Sequence, residues 1–106
     1  MRGDAGAVFD ALGDPTRRRV VAELSALGAA TPTQLSERLP VTRQAISKHL
    51  ALLASAGLVS SKRDGRVLVF HLTPEPFAEA MGWMTQVGAQ WDERLARLRA
   101  QLGRRR

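Results

Sequence analysis

The sequence predicts a mainly helical single domain that carries one small β-hairpin, in the order α-α-α-α-β-β-α. Three observations predict it. Apolar residues recur at helical spacing in stretches opened by capping residues and closed by Gly or Pro. Between residues 58 and 72 the pattern changes from a helical period to two strand-like runs on either side of an Asp-Gly pair. No internal repeat and no long linker divides the 106 residues, so the domain is expected to span residues 1–106.

Ala7, Val8, Ala11 and Leu12 mark a short first helix that ends near Gly13. Asp14 and Pro15 open the second, because Asp accepts from the orphan amides of the first turn and Pro has no amide to lose there. Val20, Leu24 and Leu27 mark its apolar face, and Gly28 ends it. Thr31, Pro32 and Gln34 form a capping box for a third helix of about two turns, with Leu35 and Leu39 inward and Pro40 as the stop. Thr42 caps a fourth helix whose inward residues are Ile46, Leu50 and Leu53, ending at Gly57. Leu58–Lys62 and Arg66–Leu72 read as strands joined across Asp64 and Gly65, with Leu68, Phe70 and Leu72 on one side. Thr73 and Pro74 start a long last helix. Along it Phe77, Met81, Met84, Gly88, Trp91, Leu95, Leu98 and Leu102 follow alternating steps of four and three, with Gly88 as a soft point.

Sixteen Lys and Arg against ten Asp and Glu give a net charge of +6, and its location matters more than its size. Residues 1–16 hold Arg2 against Asp4, Asp10 and Asp14. From Arg38 to Arg63 there are Arg38, Arg43, Lys48, Lys62 and Arg63 and no carboxylate. The absence of cysteine excludes disulfides, thiolate metal sites and cysteine nucleophiles. No phosphate-cradling glycine loop and no nucleophile with a paired base occurs, so no enzyme and no cofactor is expected. The longest uncharged stretch, Leu24 to Ser36, is too short to span a bilayer, and the first ten residues lack an apolar run, so a cytoplasmic protein without membrane contact is expected.

Two helices joined by a tight turn, followed by a hairpin with Lys62, Arg63 and Arg66 around its tip, make the order of a winged helix-turn-helix. The fourth helix then reads as a recognition helix. With Ile46, Leu50 and Leu53 inward, Arg43, Gln44, Ser47, Lys48 and the small Ala51 fall outside, near the end that enters a major groove. Arg, Gln, Ser and Lys suit base edges, and Thr42 joins capping to phosphate contact. The candidate DNA-binding residues are Thr42, Arg43, Gln44, Ser47, Lys48, His49, Lys62, Arg63 and Arg66, with His49 open to a packing role instead. His71 is expected to be an exposed strand residue. Arg17, Arg18 and Arg19 sit where the helix dipole disfavours cations, leaving phosphate contact open, and Arg104, Arg105 and Arg106 are expected to fray beyond Gly103.

The runs FDALGDPTRRRVVAEL, TQLSERLPVTRQAISKHLALLASAGLV and RDGRVLVFHL resemble the ArsR-type family of bacterial winged-helix repressors across residues 8 to 72. The resemblance implies a homodimeric repressor, possibly of its own gene, with the N-terminal helix and residues 74–102 packing against their mates. Val8, Phe77, Met81, Met84, Trp91, Leu95 and Leu98 are the candidate seam residues, the last helix being expected to serve partly as core and partly as seam. Core packing is the expected role of Trp83 and Trp91. Metal-sensing relatives use cysteines near the third helix or Asp and His on the last. Here Gln34 to Arg38 has no thiol and the last helix has no imidazole, so a metal-independent branch is expected. A palindromic double-stranded operator follows from two-fold symmetry. Two alternatives stay open: a winged-helix module that binds an acidic protein, and a repressor released by a small organic ligand at the seam, near Trp83 and Trp91. The effector is unknown.

Overall fold

The computed structural model describes residues 5–104. Arg2, Asp4, Arg105 and Arg106 lie outside them. The order is α1 (Ala5–Ala11), α2 (Pro15–Leu27), α3 (Pro32–Arg38), α4 (Arg43–Ser55), β1 (Val59–Asp64), β2 (Val67–Leu72) and α5 (Pro74–Arg104). Among the described residues no helix is long and apolar enough to cross a membrane.

Each of the middle helices starts where a side-chain oxygen satisfies an early amide. Asp14 accepts from the Arg17 amide at 2.9 Å. Thr31 and Gln34 exchange bonds in a full capping box, at 2.9 and 3.1 Å. Thr42 accepts from the Ala45 amide at 3.0 Å. Gly28 ends α2 at φ 83°, a left-handed conformation that a side chain would strain.

Val8, Val20, Leu24, Leu35, Ile46, Leu50, Leu53 and Leu58 are fully buried and hold α1 to α4 and the hairpin root around one core. Leu27, read as part of the α2 face, is exposed because the helix has already left the core at its last turn. Val8 belongs to this core, so it is not available as the seam residue it was expected to be.

The hairpin differs from the expected one by a residue. Asp64 pairs with Val67, so the two turn residues are Gly65 and Arg66, with φ 64° at Gly65. An Asp-Gly turn of the expected kind needs positive φ at both positions, and among the described residues only glycines have it. The register is fixed at the root instead, where buried Val59 faces half-buried Leu72. The loop between α2 and α3 adds a rung that the sequence did not reveal: Ala30 and Phe70 exchange backbone bonds at 2.8 and 3.0 Å. His71 is half-buried rather than exposed.

α5 runs unbroken through both Gly88 and Gly103, so Arg104 is helical rather than frayed. Only its first turns meet the core, through Pro76, Phe77 and Ala80. Met81, Met84, Trp91, Leu95, Leu98 and Leu102 are 41–66% exposed, so the stripe is core only at its start. Trp83 and Trp91 are also more than half exposed, which corrects their expected core role; Trp83 touches only the edge of the body, its ring 5.6 Å from that of Phe9.

Thr31→Ala removes one half of the capping box and is expected to lower stability by about 1 kcal/mol in urea unfolding. The Asp14 carboxyl is held below its ordinary value of 3.8, mainly by the Arg17 amide and further by the charges of Arg17 and His49. A lowered folded value stabilises above the unfolded one and ceases to do so as pH falls through it. The gap in unfolding midpoint between the wild type and Asp14→Ala is therefore expected to hold near neutral pH and to narrow below pH 3.8; a gap that widens on acidification contradicts this role.

Candidate DNA interface

The outward side of α4 follows from its inward one. At about 100° per residue, Ile46, Leu50 and Leu53 lie within about 60° of one another, and all three are buried. Gln44, Ser47, Lys48 and Ala51 then face the far side and are exposed. Thr42 is exposed at the tip, where its oxygen caps the helix while its hydroxyl proton remains free to donate.

Arg43 and His49 are displaced from this face. Each lies about 60° from Ile46, on opposite flanks. Arg43 leans toward α3, and its Nη1 donates to the Thr33 hydroxyl at 3.3 Å. His49 is half-buried on the other flank, near enough for its charge to act on Asp14, and its buried Nδ1 has no hydrogen-bond partner. Its half-burial suits the packing role that the sequence left open beside DNA contact.

Arg43 has company on its flank. An open groove of about 510 Å³ runs between the helix pair and the wing, lined by Thr31, Pro32, Thr33, Arg43, Ser47, Arg63, Arg66, Val67 and Leu68. Three guanidinium groups from α4, β1 and the hairpin turn line it, and no carboxylate does. Lys62 is exposed on the hairpin but lines a separate hollow with Asp64 and His71. The three-arginine groove joins residues about twenty positions apart, and sequence spacing alone carried no sign of it.

Arg17 and Arg18 have partners within the chain. The Arg17 Nε donates to the Ala11 carbonyl and the Arg18 Nη1 to the Leu12 carbonyl, both at 2.6 Å. Those oxygens lie at the C-terminal end of α1, where the partial charge is negative and a cation is favoured. The neighbour in space thus offsets an unfavourable place in sequence. Arg19 remains exposed.

A helix-turn-helix domain family matches residues 12–61. The HTH-type transcriptional regulator YuzN of Bacillus subtilis is 44% identical over 91 residues, covering 79% of this chain and 99% of YuzN. The transcriptional repressor SdpR of the same organism is 31% identical, covering 73% of this chain and 84% of SdpR. The solved structure of an ArsR-like transcriptional regulator from Rhodococcus sp. RHA1 superposes with a TM-score of 0.77 at 37% identity, covering 89% of this chain and 88% of that one.

The chain belongs to the ArsR family of transcriptional regulators. Its fold is the winged helix-turn-helix, with α3 and α4 as the paired helices and β1–β2 as the wing. An ArsR-family regulator of this kind binds DNA, and the basic, carboxylate-free groove beside α4 is the surface suited to it. These relatives are transcriptional regulators rather than enzymes.

Proposed function

We propose that the chain is a homodimeric repressor that lays α4 in the major groove of a roughly palindromic operator, with half-sites about one helical turn apart. The groove carrying Arg43, Arg63 and Arg66 is the observation that supports it most. Gln44, Ser47 and Lys48 face the base edges. Arg43, which leans to the wing side, joins Arg63 and Arg66 on one strand of the sugar–phosphate backbone. Val67 and Leu68 offer apolar contact to the sugars beside those phosphates. Thr42 donates its free hydroxyl proton to a phosphate, and Lys62 adds to the positive field of the wing.

Repression, the action named for the relative SdpR, follows by occlusion of the promoter. The dimer seam is the exposed stripe of α5, supported by six large apolar residues that the chain does not cover for itself. N-terminal support comes from Phe9, which is 37% exposed beside Trp83, rather than from Val8. The single chain of 106 residues acts as one domain whose last helix is the dimerisation element. Its place of action is the cytoplasm, where its DNA lies.

Several relatives are named for arsenic resistance, and a metal site of their kind is a fair test for this chain. The residues do not fit one. The α3 segment Gln34, Leu35, Ser36, Glu37, Arg38 offers no thiolate, and α5 offers Glu75, Glu79, Asp92 and Glu93 without an imidazole. We therefore place the chain among metal-independent regulators.

Mobility shifts on the chain's own upstream region test the proposal: binding no tighter than to unrelated duplex at physiological salt would reject operator recognition. Gln44→Ala is expected to cost about 1–3 kcal/mol on the operator and to relax preference at one base position. Arg66→Ala is expected instead to weaken all duplexes alike and to lower the slope of log K against log salt by about one. Sedimentation is expected to give a mass near twice the 11.6 kDa of one chain.

A further inference from the structure

Arg43 stands where α4 begins, and two tasks are open to its side chain. An arginine fork pairs with a phosphate or, in two parallel bonds, with the O6 and N7 of guanine. Gln44, next in sequence, faces the base edges in the proposed complex, whereas Arg63 and Arg66 line the groove on the other side of Arg43. Nothing in the residue type chooses between the two tasks. The choice falls to whatever holds the guanidinium.

No carboxylate does so among the described residues, whose ion pairs involve Arg38 and Arg97 instead. The charges of Arg63 and Arg66 repel that of Arg43, and by themselves they favour a side chain turned out of the groove toward the bases. What opposes them is a neutral group, the Thr33 hydroxyl, which accepts from the Arg43 Nη1 at 3.3 Å. Thr33 is well anchored for this. It lies in the first turn of α3, inside the capping box of Thr31 and Gln34 and two residues before the fully buried Leu35, and its carbonyl accepts from the Ser36 hydroxyl at 2.9 Å. The acceptor is thus tied to the core through α3, while the arginine it holds is exposed.

We propose that Thr33 is the positioning residue that sets Arg43 on the sugar–phosphate backbone and keeps it from reading a base. The inference rests on the DNA-binding reading above and adds what decides the task of Arg43, and with it how many bases α4 reads. A hydroxyl suits the role. It takes one guanidinium bond, leaves the other donors for a phosphate, and carries no charge. Asp or Glu in its place would hold the fork more tightly but would repel the phosphate that the fork is there to meet.

Thr33→Val keeps the shape of the side chain and removes the acceptor. The wild type, Thr33→Val, Thr33→Ser, Arg43→Ala and the double variant Thr33→Val with Arg43→Ala are compared over a range of salt. The probes are a duplex that the wild type selects from a pool with randomised half-sites, and the single-base variants of that duplex. Because Thr33 is exposed, none of these changes is expected to move the unfolding midpoint in urea.

In Thr33→Val the released Arg43 is expected to lower the slope of log K against log salt by about one, and to add a preference for guanine of about fivefold or more at a position where the wild type has none. Thr33→Ser is expected to match the wild type, and the double variant to lose the new preference. Arg43→Ala alone is expected to lower the slope by about one and to weaken all the duplexes alike. A Thr33→Val protein with the wild-type slope and base profile overturns the inference. So does an equal loss on every duplex at unchanged slope, the mark of a Thr33 that only bonds a phosphate itself. Relaxed preference at one base in Arg43→Ala overturns it too, since Arg43 then already reads that base. A wild type that selects no sequence from the pool overturns the DNA-binding reading and this inference with it.

Discussion

The buried row of Ile46, Leu50 and Leu53 is the constraint on which the outer surface of this regulator depends. Once these three side chains enter the core beside Leu24, Leu35 and Leu58, α4 cannot rotate about its axis without exposing them. Its remaining residues are thereby assigned to fixed directions. Gln44, Ser47, Lys48 and Ala51 face outward, Arg43 flanks the wing, and His49 flanks α2. The surface proposed to read DNA is thus positioned by residues buried behind it.

The polar groups at the helix ends complete this positioning. Thr31, Gln34 and Thr42 hold the start of α3 and of α4 with side-chain bonds, and the short link between those helices leaves little freedom in their relative orientation. Arg38 of α3 bonds the Glu23 carboxylate of α2, an exposed pair whose effect on stability is small but which ties two elements at the rim. Two arginines that look misplaced at the start of α2 are satisfied by the carbonyls that end α1. The positive charge of the chain is therefore divided between internal positioning and the outward groove.

The last helix follows a different logic. A body of this size has one core, already filled by α1 to α4 and the hairpin root, and α5 reaches far beyond it within a molecule 70 Å long. Beyond its first turns its apolar stripe has no cover among the described residues. Such a stripe is unfavourable in water when alone, and in the proposed dimer the helix and its partner would be a single unit of folding and binding.

Most of the fold was legible in the sequence because its signals are local. The caps at Asp14, Thr31 and Thr42, the stops at Gly28 and Pro40, and the inward rows of α3 and α4 depend on residues within a turn or two of one another. So was the belonging to a winged-helix family, carried by runs of adjacent residues. What only the tertiary structure decided involves neighbours distant in the chain. The hairpin turn moved to Gly65–Arg66 because packing at the root, not the preference of Asp-Gly, sets the register. Arg43 joined Arg63 and Arg66 because the wing folds back over α3. Val8 went inward, and Trp83 and Trp91 stayed outward, because apolar periodicity tells which residues share a face but not whether that face has a core to meet.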